Sequence, residues 1–302
     1  MGARTAPLRA ILVEQYIQNK KADQVMTLLA VWKSDDTLFF AADTRLSTPG
    51  NVGSQRLTDH GVKLIPFSMN CFGPGADGFF TNLLLKRQFV LGFAGSSLVA
   101  QQTSLAISVF LGNLGAHPGT DFPSLQDIAN LAARLIQQYT AEMAQLYSNP
   151  QQSVTECIVA GRCAQEDELQ VFGLRTRICA TSQPAITTSA IEVYPSQDLS
   201  DPLLLGDTTA REAMKSALSV PSPSTPLKIL EGLVDESTTA DVIGGGVQLG
   251  WIQKDDYQPV SLCRTPEEGK PAKFLNLGFD LSETADPSTL NGWVTGMPGY
   301  AK

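Results

Sequence analysis

Apolar residues run without a break through Thr27–Trp32 (TLLAVW) and Thr37–Ala42 (TLFFAA), and the turn-forming Ser34-Asp35-Asp36 separates the two runs. This pattern predicts a β-hairpin. A strand covered on one face alternates apolar and polar residues, so continuous apolar runs predict a sheet packed on both faces. A polar loop is expected over Leu46–Gly61, then a strand at Val62–Phe67 whose only charge is Lys63. The Gly- and Pro-rich run Cys71–Gly78, with the apolar segment to Leu85, reads as an insertion before a strand at Phe89–Phe93.

Two long amphipathic patterns follow, Ser96–Leu114 and Ser124–Tyr147, the second opening on Ser124 as an N-cap. Strands are then expected at Glu156–Gly161, Leu169–Leu174, Ala190–Tyr194 and Leu203–Gly206, helices at Thr209–Leu218 and Pro226–Val234, and strands at Val247–Ile252, Pro259–Cys263 and Phe274–Phe279. Strands, two helices, strands, two helices, strands is the order expected of an α/β (α+β) fold, a four-layer αββα sandwich of two antiparallel sheets between helix pairs. Three segments are expected: an N-terminal extension, 1–26; one domain, 27–281; and a mobile tail, 282–302, rich in Pro, Gly and polar residues.

Composition narrows the chemistry. Of the 302 residues 43% are hydrophobic and 17% charged, and the net charge of −8 is spread without a block of one sign. An acidic chain with no basic face is a poor nucleic-acid binder. No stretch approaches the roughly 20 apolar residues of a spanning helix, and the first residues lack a continuous apolar signal region. Five cysteines, Cys71, Cys157, Cys163, Cys179 and Cys263, show no C-x-x-C spacing and read as reduced thiols. Together these features predict a soluble cytoplasmic protein.

Only His60 and His117 are available as imidazole bases, and no G-x-S-x-G elbow or H-E-x-x-H pattern accompanies them. The runs Gly73-Pro74-Gly75 and Gly244-Gly245-Gly246 lack the Lys-Ser/Thr of a phosphate loop. No metal and no cofactor is expected. Chemistry that needs no histidine remains: an N-terminal Thr uses its own α-amine, with an unperturbed pKa of about 7.7–8.0, to take its hydroxyl proton. An ammonium beside it lowers the pKa of both groups, and a carboxylate holds that ammonium charged. Thr27, Lys63 and Asp43 supply these three roles if their strands lie side by side.

Thr27, Ala41–Arg45 (AADTR), Gly61–Leu64 (GVKL), Gly92–Ser96 (GFAGS), Cys157–Gly161 (CIVAG) and Gly244–Ile252 (GGGVQLGWI) resemble, in this order, the proteasome β-subunits and their simpler bacterial relatives, including the peptidase subunit of a two-component ATP-dependent protease. The resemblance implies an N-terminal nucleophile (Ntn) hydrolase. Thr27 matches the nucleophile, Asp43, sixteen residues on, the acidic partner, Lys63 the catalytic lysine and Gly92 the oxyanion donor. Asp241, or Asp235, matches a second acidic residue, and Asp207 or Thr208 stands where the family has a supporting serine. Arg45 is expected to be structural. The resemblance further implies a peptide or unfolded-protein substrate, a homo-oligomeric ring or spiral, and an ATP-dependent unfoldase as partner.

One departure bears on activity. Self-processing relatives have a Gly before the nucleophile, and this chain has Met26. Either translation starts at Met26, or residues 1–26 are a propeptide, or they stay attached and the chain is a non-catalytic scaffold subunit. Amide hydrolysis of a small molecule is a further reading of the same N-terminal chemistry.

Overall fold

The computed structural model describes residues 27–50, 53–147, 149–180, 187–195, 199, 201–219, 225–237, 243–264, 273–281 and 299–301. The expected hairpin forms from β1 (Leu28–Ser34) and β2 (Thr37–Asp43). Asp35 takes a left-handed φ of 51° in its turn, a conformation that Asp tolerates better than most residues. The polar segment predicted as a loop is instead a second hairpin, β3 (Leu46–Gly50) with β4 (Gly53–Thr58). Its sequence lacks an apolar face, and pairing between its own two strands satisfies the backbone without one.

Strands β5 (Leu64–Pro74) and β6 (Phe80–Gly95) run well past the predicted Val62–Phe67 and Phe89–Phe93, so the expected insertion is the outer part of one long hairpin. Helix α1 (Ser97–Leu111) starts at the N-cap Ser96, and β7 (Leu114–Gly115) leads to α2 (Leu125–Leu146). Ser124 caps α2 in a reciprocal box with Asp127, which satisfies two otherwise unpaired groups at the helix start. Strands β8 (Thr155–Arg162), β9 (Leu169–Ala180), β10 (Thr187–Pro195) and β11 (Leu203–Gly206) follow. After helices α3 (Thr208–Leu218) and α4 (Pro226–Asp235) come β12 (Val247–Ile252), β13 (Tyr257–Arg264), β14 (Lys273–Asn276) and β15 (Phe279–Asp280). The last two break the predicted strand Phe274–Phe279 at Leu277 and Gly278, both at positive φ.

The protein is thus mixed α/β, with four α-helices and three sheets among the described residues. One sheet has the order β11-β1-β2-β12-β13-β14-β15, and a second has β10-β9-β8-β6-β5-β7. Neighbours are antiparallel except that β7 joins β5, and β16 (Gly299–Ala301) joins β13, in parallel. The predicted mobile tail therefore returns at its end to a sheet, because β13 offers it a free ladder edge at Ser261–Cys263.

Alternation along β1 explains its unbroken apolar run. Leu28 and Ala30 join a cluster with Met214 of α3 and Leu227, Leu230 and Val234 of α4. Leu29 and Val31 join Leu64, Val90, Ile158 and Val171 of the second sheet. A third cluster fills the space between the second sheet and α1 and α2 around Phe89, Phe93, Ile107 and Ile136. Burying each such Leu or Ile is worth about 1.5–3 kcal/mol, which makes a one-residue slip of β1 costly and fixes where Thr27 stands.

Candidate active site

Thr27 precedes β1, where Leu28 pairs with Gly206 on one side and the neighbouring pair Leu29–Ala42 leads to Asp43 on the other. It is buried, and its nitrogen belongs to the peptide bond from Met26. Its carbonyl oxygen accepts from the N–H of Asp207 at 2.7 Å. Gly206 approaches that carbonyl so closely that a Cβ there would collide with it, and its φ of 109° suits glycine alone. Strand β11 therefore ends by folding its backbone over Thr27.

The Asp43 carboxylate, fully buried, collects four donors. Oδ1 accepts from the Leu28 N–H at 2.9 Å and from Lys63 Nζ at 2.8 Å; Oδ2 accepts from the N–H groups of Arg45 at 3.3 Å and Gly244 at 3.2 Å. Such saturation is what a buried ion needs to persist. Lys63 is also fully buried. Removal from water holds its pKa below the usual 10.5, against the attraction and hydrogen bond of Asp43, which act to raise it; nearby Arg45 adds to the lowering.

Lys63 lies just before β5, in the second sheet's approach to the first. Gln248 of β12 fixes it there: its Oε1 accepts from the N–H groups of Lys63 and Leu64, each at 2.9 Å, and its Nε2 donates to Leu64 O at 2.8 Å. The sequence reading missed Gln248. Its signal is a polar residue in the otherwise apolar V-Q-L-G-W-I run, with no charge partner nearby in sequence.

Arg45 is structural, as expected. Its Nε–H donates to Asp59 Oδ1 at 2.7 Å and its guanidinium also reaches Ile243 O at 3.3 Å, tying the end of β2 to the turn before β12. This bond holds the Asp59 carboxyl below its ordinary pKa. Glu156 of β8, also missed, accepts from the Gly206 N–H at 3.1 Å and links the second sheet to the segment over Thr27.

The remaining candidates separate. Asp207 caps α3, its Oδ1 accepting from the Ala210 N–H at 2.9 Å, while its own N–H holds Thr27; Thr208 is exposed on the first turn of the helix. Asp235 is exposed at the end of α4, and Asp241 lies outside the described residues. Gly92 sits in the interior of β6, opposite Leu64 of β5 and Ile158 of β8. The next residue, Phe93, donates its N–H to Lys63 O at 3.1 Å, and amides alternate along a strand, so the Gly92 N–H points the other way, toward β8.

His60 and His117 are both exposed, His60 stacked on Phe279 and His117 edge-on to Phe80. Cys71, Cys157 and Cys163 are free and buried, and burial pushes the Cys157 thiol up to about 12. Among the described residues there is no cluster of His, Cys, Asp and Glu fit for a metal, and no helix long and apolar enough to cross a membrane.

No family model matches the sequence, and no curated protein matches it. Among solved structures, Anbu from Hyphomicrobium sp. strain MC1 is similar at 15% identity and a TM-score of 0.47, over 88% of this chain and 95% of that one. Anbu (ancestral beta-subunit) from Yersinia bercovieri gives 13% and 0.45, over 77% and 82%. HslV from Trypanosoma brucei gives 16% and 0.36, over 74% and 98%. At these identities and TM-scores no residue's role is carried across from them.

Proposed function

We propose that this chain is a threonine-type Ntn peptidase of proteasome type, cleaving peptide bonds in an oligomeric assembly once Thr27 is its N-terminus. The observation that carries the reading is the fully buried Lys63–Asp43 pair, whose carboxylate also binds the amide of Leu28, the residue next to Thr27. An ion pair in that place has no stabilising advantage over apolar side chains of the same size, which leaves an electrostatic task beside Thr27 as its reason to exist.

The chemistry follows from the groups present. The free Thr27 amine takes the hydroxyl proton as Oγ bonds to the substrate carbonyl carbon; the C–N bond then breaks and the leaving amine takes that proton. Water attacks the resulting ester and returns the hydroxyl. Lys63, as an ammonium, disfavours a second positive charge on the Thr27 amine and so keeps it basic at neutral pH, and Asp43 keeps Lys63 charged.

Gly92 is the proposed oxyanion donor, and such a donor is worth about 3–4 kcal/mol. This role requires its N–H to leave the β8 ladder. Asp207, holding the Thr27 carbonyl, is the proposed supporting residue, with Asp241 as the second acidic group. The proposed frame is a four-layer αββα sandwich spanning 27–281, supported by the three separate apolar clusters. A cytoplasmic setting, a peptide or unfolded-protein substrate, and an ATP-driven unfoldase belong to the same reading.

Intact-mass measurement tests it. A species beginning at Thr27, labelled by a Thr-directed electrophile and unlabelled in Thr27→Ala, is expected. A folded preparation made only of full-length, unlabelled chain would sink the nucleophile and leave the scaffold reading.

A further inference from the structure

His60 has no part in the chemistry proposed for Thr27, yet its side chain is held in two ways. Its Nδ1 lies 2.9 Å from Leu277 O, and its ring stacks on Phe279 with centroids 4.0 Å apart and planes 19° from parallel. A ring nitrogen facing a carbonyl oxygen at that distance carries a proton, so Nδ1 donates whether the ring is neutral or protonated.

Leu277 and Gly278 form the two-residue turn between β14 and β15, where Leu275 pairs with Asp280 and Asn276 with Phe279. Both central residues have positive φ, 54° and 76°, as in the mirror-image turn that Gly, Asn and Asp favour. Leu277 is bulky for that conformation, and such a residue persists only where its surroundings hold it. Here the hold on its carbonyl is the His60 donor. The base of the hairpin is fixed separately, since Asn276 Nδ2 donates to Val260 O at 3.3 Å and β14 pairs with β13.

The turn rests on the segments that carry the donors of Asp43. Gly278 lies so near Gly246 that a Cβ on Gly246 would collide with it. The Gly246 N–H donates to Thr44 Oγ1 at 2.6 Å, and that hydroxyl donates to Asp59 O at 2.5 Å. The Thr44 and Arg45 N–H groups donate to Gly246 O and Gly244 O, each at 3.0 Å, and the Gly61 N–H donates to Thr44 O at 2.7 Å. Gly244 and Arg45 supply the two amides on Asp43 Oδ2, and Gly61 stands two residues before Lys63. Segments 43–45, 59–63 and 244–246 are therefore laced together around the ion pair, and the 277–278 turn touches two of them through His60 and Gly246.

We propose that His60 is a positioning residue, which by clasping the Leu277–Gly278 turn closes this lacing from outside and holds the Gly244 amide and Lys63 in place on Asp43. Residues 273–281, remote from Thr27 in sequence, then belong to the support of the site. The effect on rate rests on the Thr27 peptidase reading; the clasp does not.

Hydrogen exchange on the full-length chain, followed by NMR, reads the clasp as a local opening. His60→Ala is expected to speed exchange of the Gly244 and Gly246 amides at least tenfold, and Phe279→Ala to speed it by less. His60→Asn keeps a donor at the Nδ1 position and is expected to restore protection, whereas His60→Gln, whose amide lies one bond further out, is not. Phe274→Ala, exposed on the same hairpin but away from the turn, is expected to leave both amides unchanged. In the processed chain beginning at Thr27, His60→Ala is expected to lower the saturating rate of labelling by a Thr-directed electrophile at least fivefold with an unchanged half-saturating concentration, and His60→Asn to recover it. Unchanged exchange in His60→Ala and Phe279→Ala, or equal exchange in His60→Ala and either His60→Asn or Phe274→Ala, overturns the clasp. Faster exchange with an unchanged labelling rate overturns the positioning role. A processed wild-type chain that is not labelled at all overturns the peptidase reading, and with it the effect on rate, while the exchange result still decides the clasp.

Discussion

Lys63 Nζ stands 2.8 Å from Asp43 Oδ1 in a place where neither side chain reaches solvent. Asp43 ends β2 of one sheet and Lys63 directly precedes β5 of the other, so this ion pair bridges the two beside Thr27. Removing one partner strands the other charge in a medium that cannot solvate it. Lys63→Met is therefore expected to destabilise the fold by about 3–5 kcal/mol, and the double variant Lys63→Met with Asp43→Asn, which removes the stranded charge and keeps an acceptor oxygen for the backbone N–H groups, to recover part of that loss. Denaturant unfolding measures it, and a double variant whose loss equals the sum of the two single-variant losses would show that the pair is not coupled.

The depressed pKa of Lys63 has a definite sign in stability. Between its folded value and 10.5 the unfolded chain holds the proton that the folded chain has released, so this residue's contribution becomes more favourable as pH rises through that window and is flat below it. Carbon-13 NMR of the Lys63 Cε is expected to show a midpoint below 10.5, moving lower still in Asp43→Asn, which removes the attraction. A midpoint at or above 10.5 would contradict the desolvation account.

Gly206→Ala tests the cover over Thr27. A Cβ there meets the Thr27 carbonyl, at a φ that L-residues rarely adopt. The substitution is expected to shift the Thr27 and Asp207 amide resonances and to abolish labelling of a processed Thr27, while Gly232→Ala, with open space around it in α4, does neither.

Gly92→Ala separates packing from catalysis. A Cβ at Gly92 would stand 2.7 Å from Leu29 Cδ1 and 2.8 Å from Ile158 Cγ1, an overpacking expected to cost about 1–3 kcal/mol. Combining it with Leu29→Ala makes room and is expected to cost less than the sum of the two changes. Hydrogen exchange at the Gly92 amide addresses the oxyanion role: the ladder geometry expects protection, and fast exchange in a folded protein would show the donor free.

Much of this molecule is legible in the sequence because one rule generates it. An unbroken apolar run can be satisfied only by cover on both faces, and β1 meets that condition with Leu28 toward α3 and α4 and Leu29 toward the other sheet. The N-cap Ser124 was legible for a similarly local reason, since its partner Asp127 is three residues away. The hairpin β3–β4, the length of β5 and β6, and the return of Gly299–Ala301 were not, because each is decided by which edge stands free for pairing rather than by apolar periodicity.

For the candidate site, the sequence alone determined the types: a Thr, a carboxylate and a lysine where histidine is scarce, at spacings that put each at the end of a strand. Only the tertiary structure decided their neighbours. It joined Asp43 to Lys63, supplied Gln248 from β12 to hold Lys63, put Asp207 rather than Thr208 on the Thr27 peptide and turned the Gly92 amide toward β8. The physical reason is that a strand's sequence fixes which face each side chain occupies, whereas the partner across a sheet or between sheets depends on register and layer packing set by residues far away in the chain.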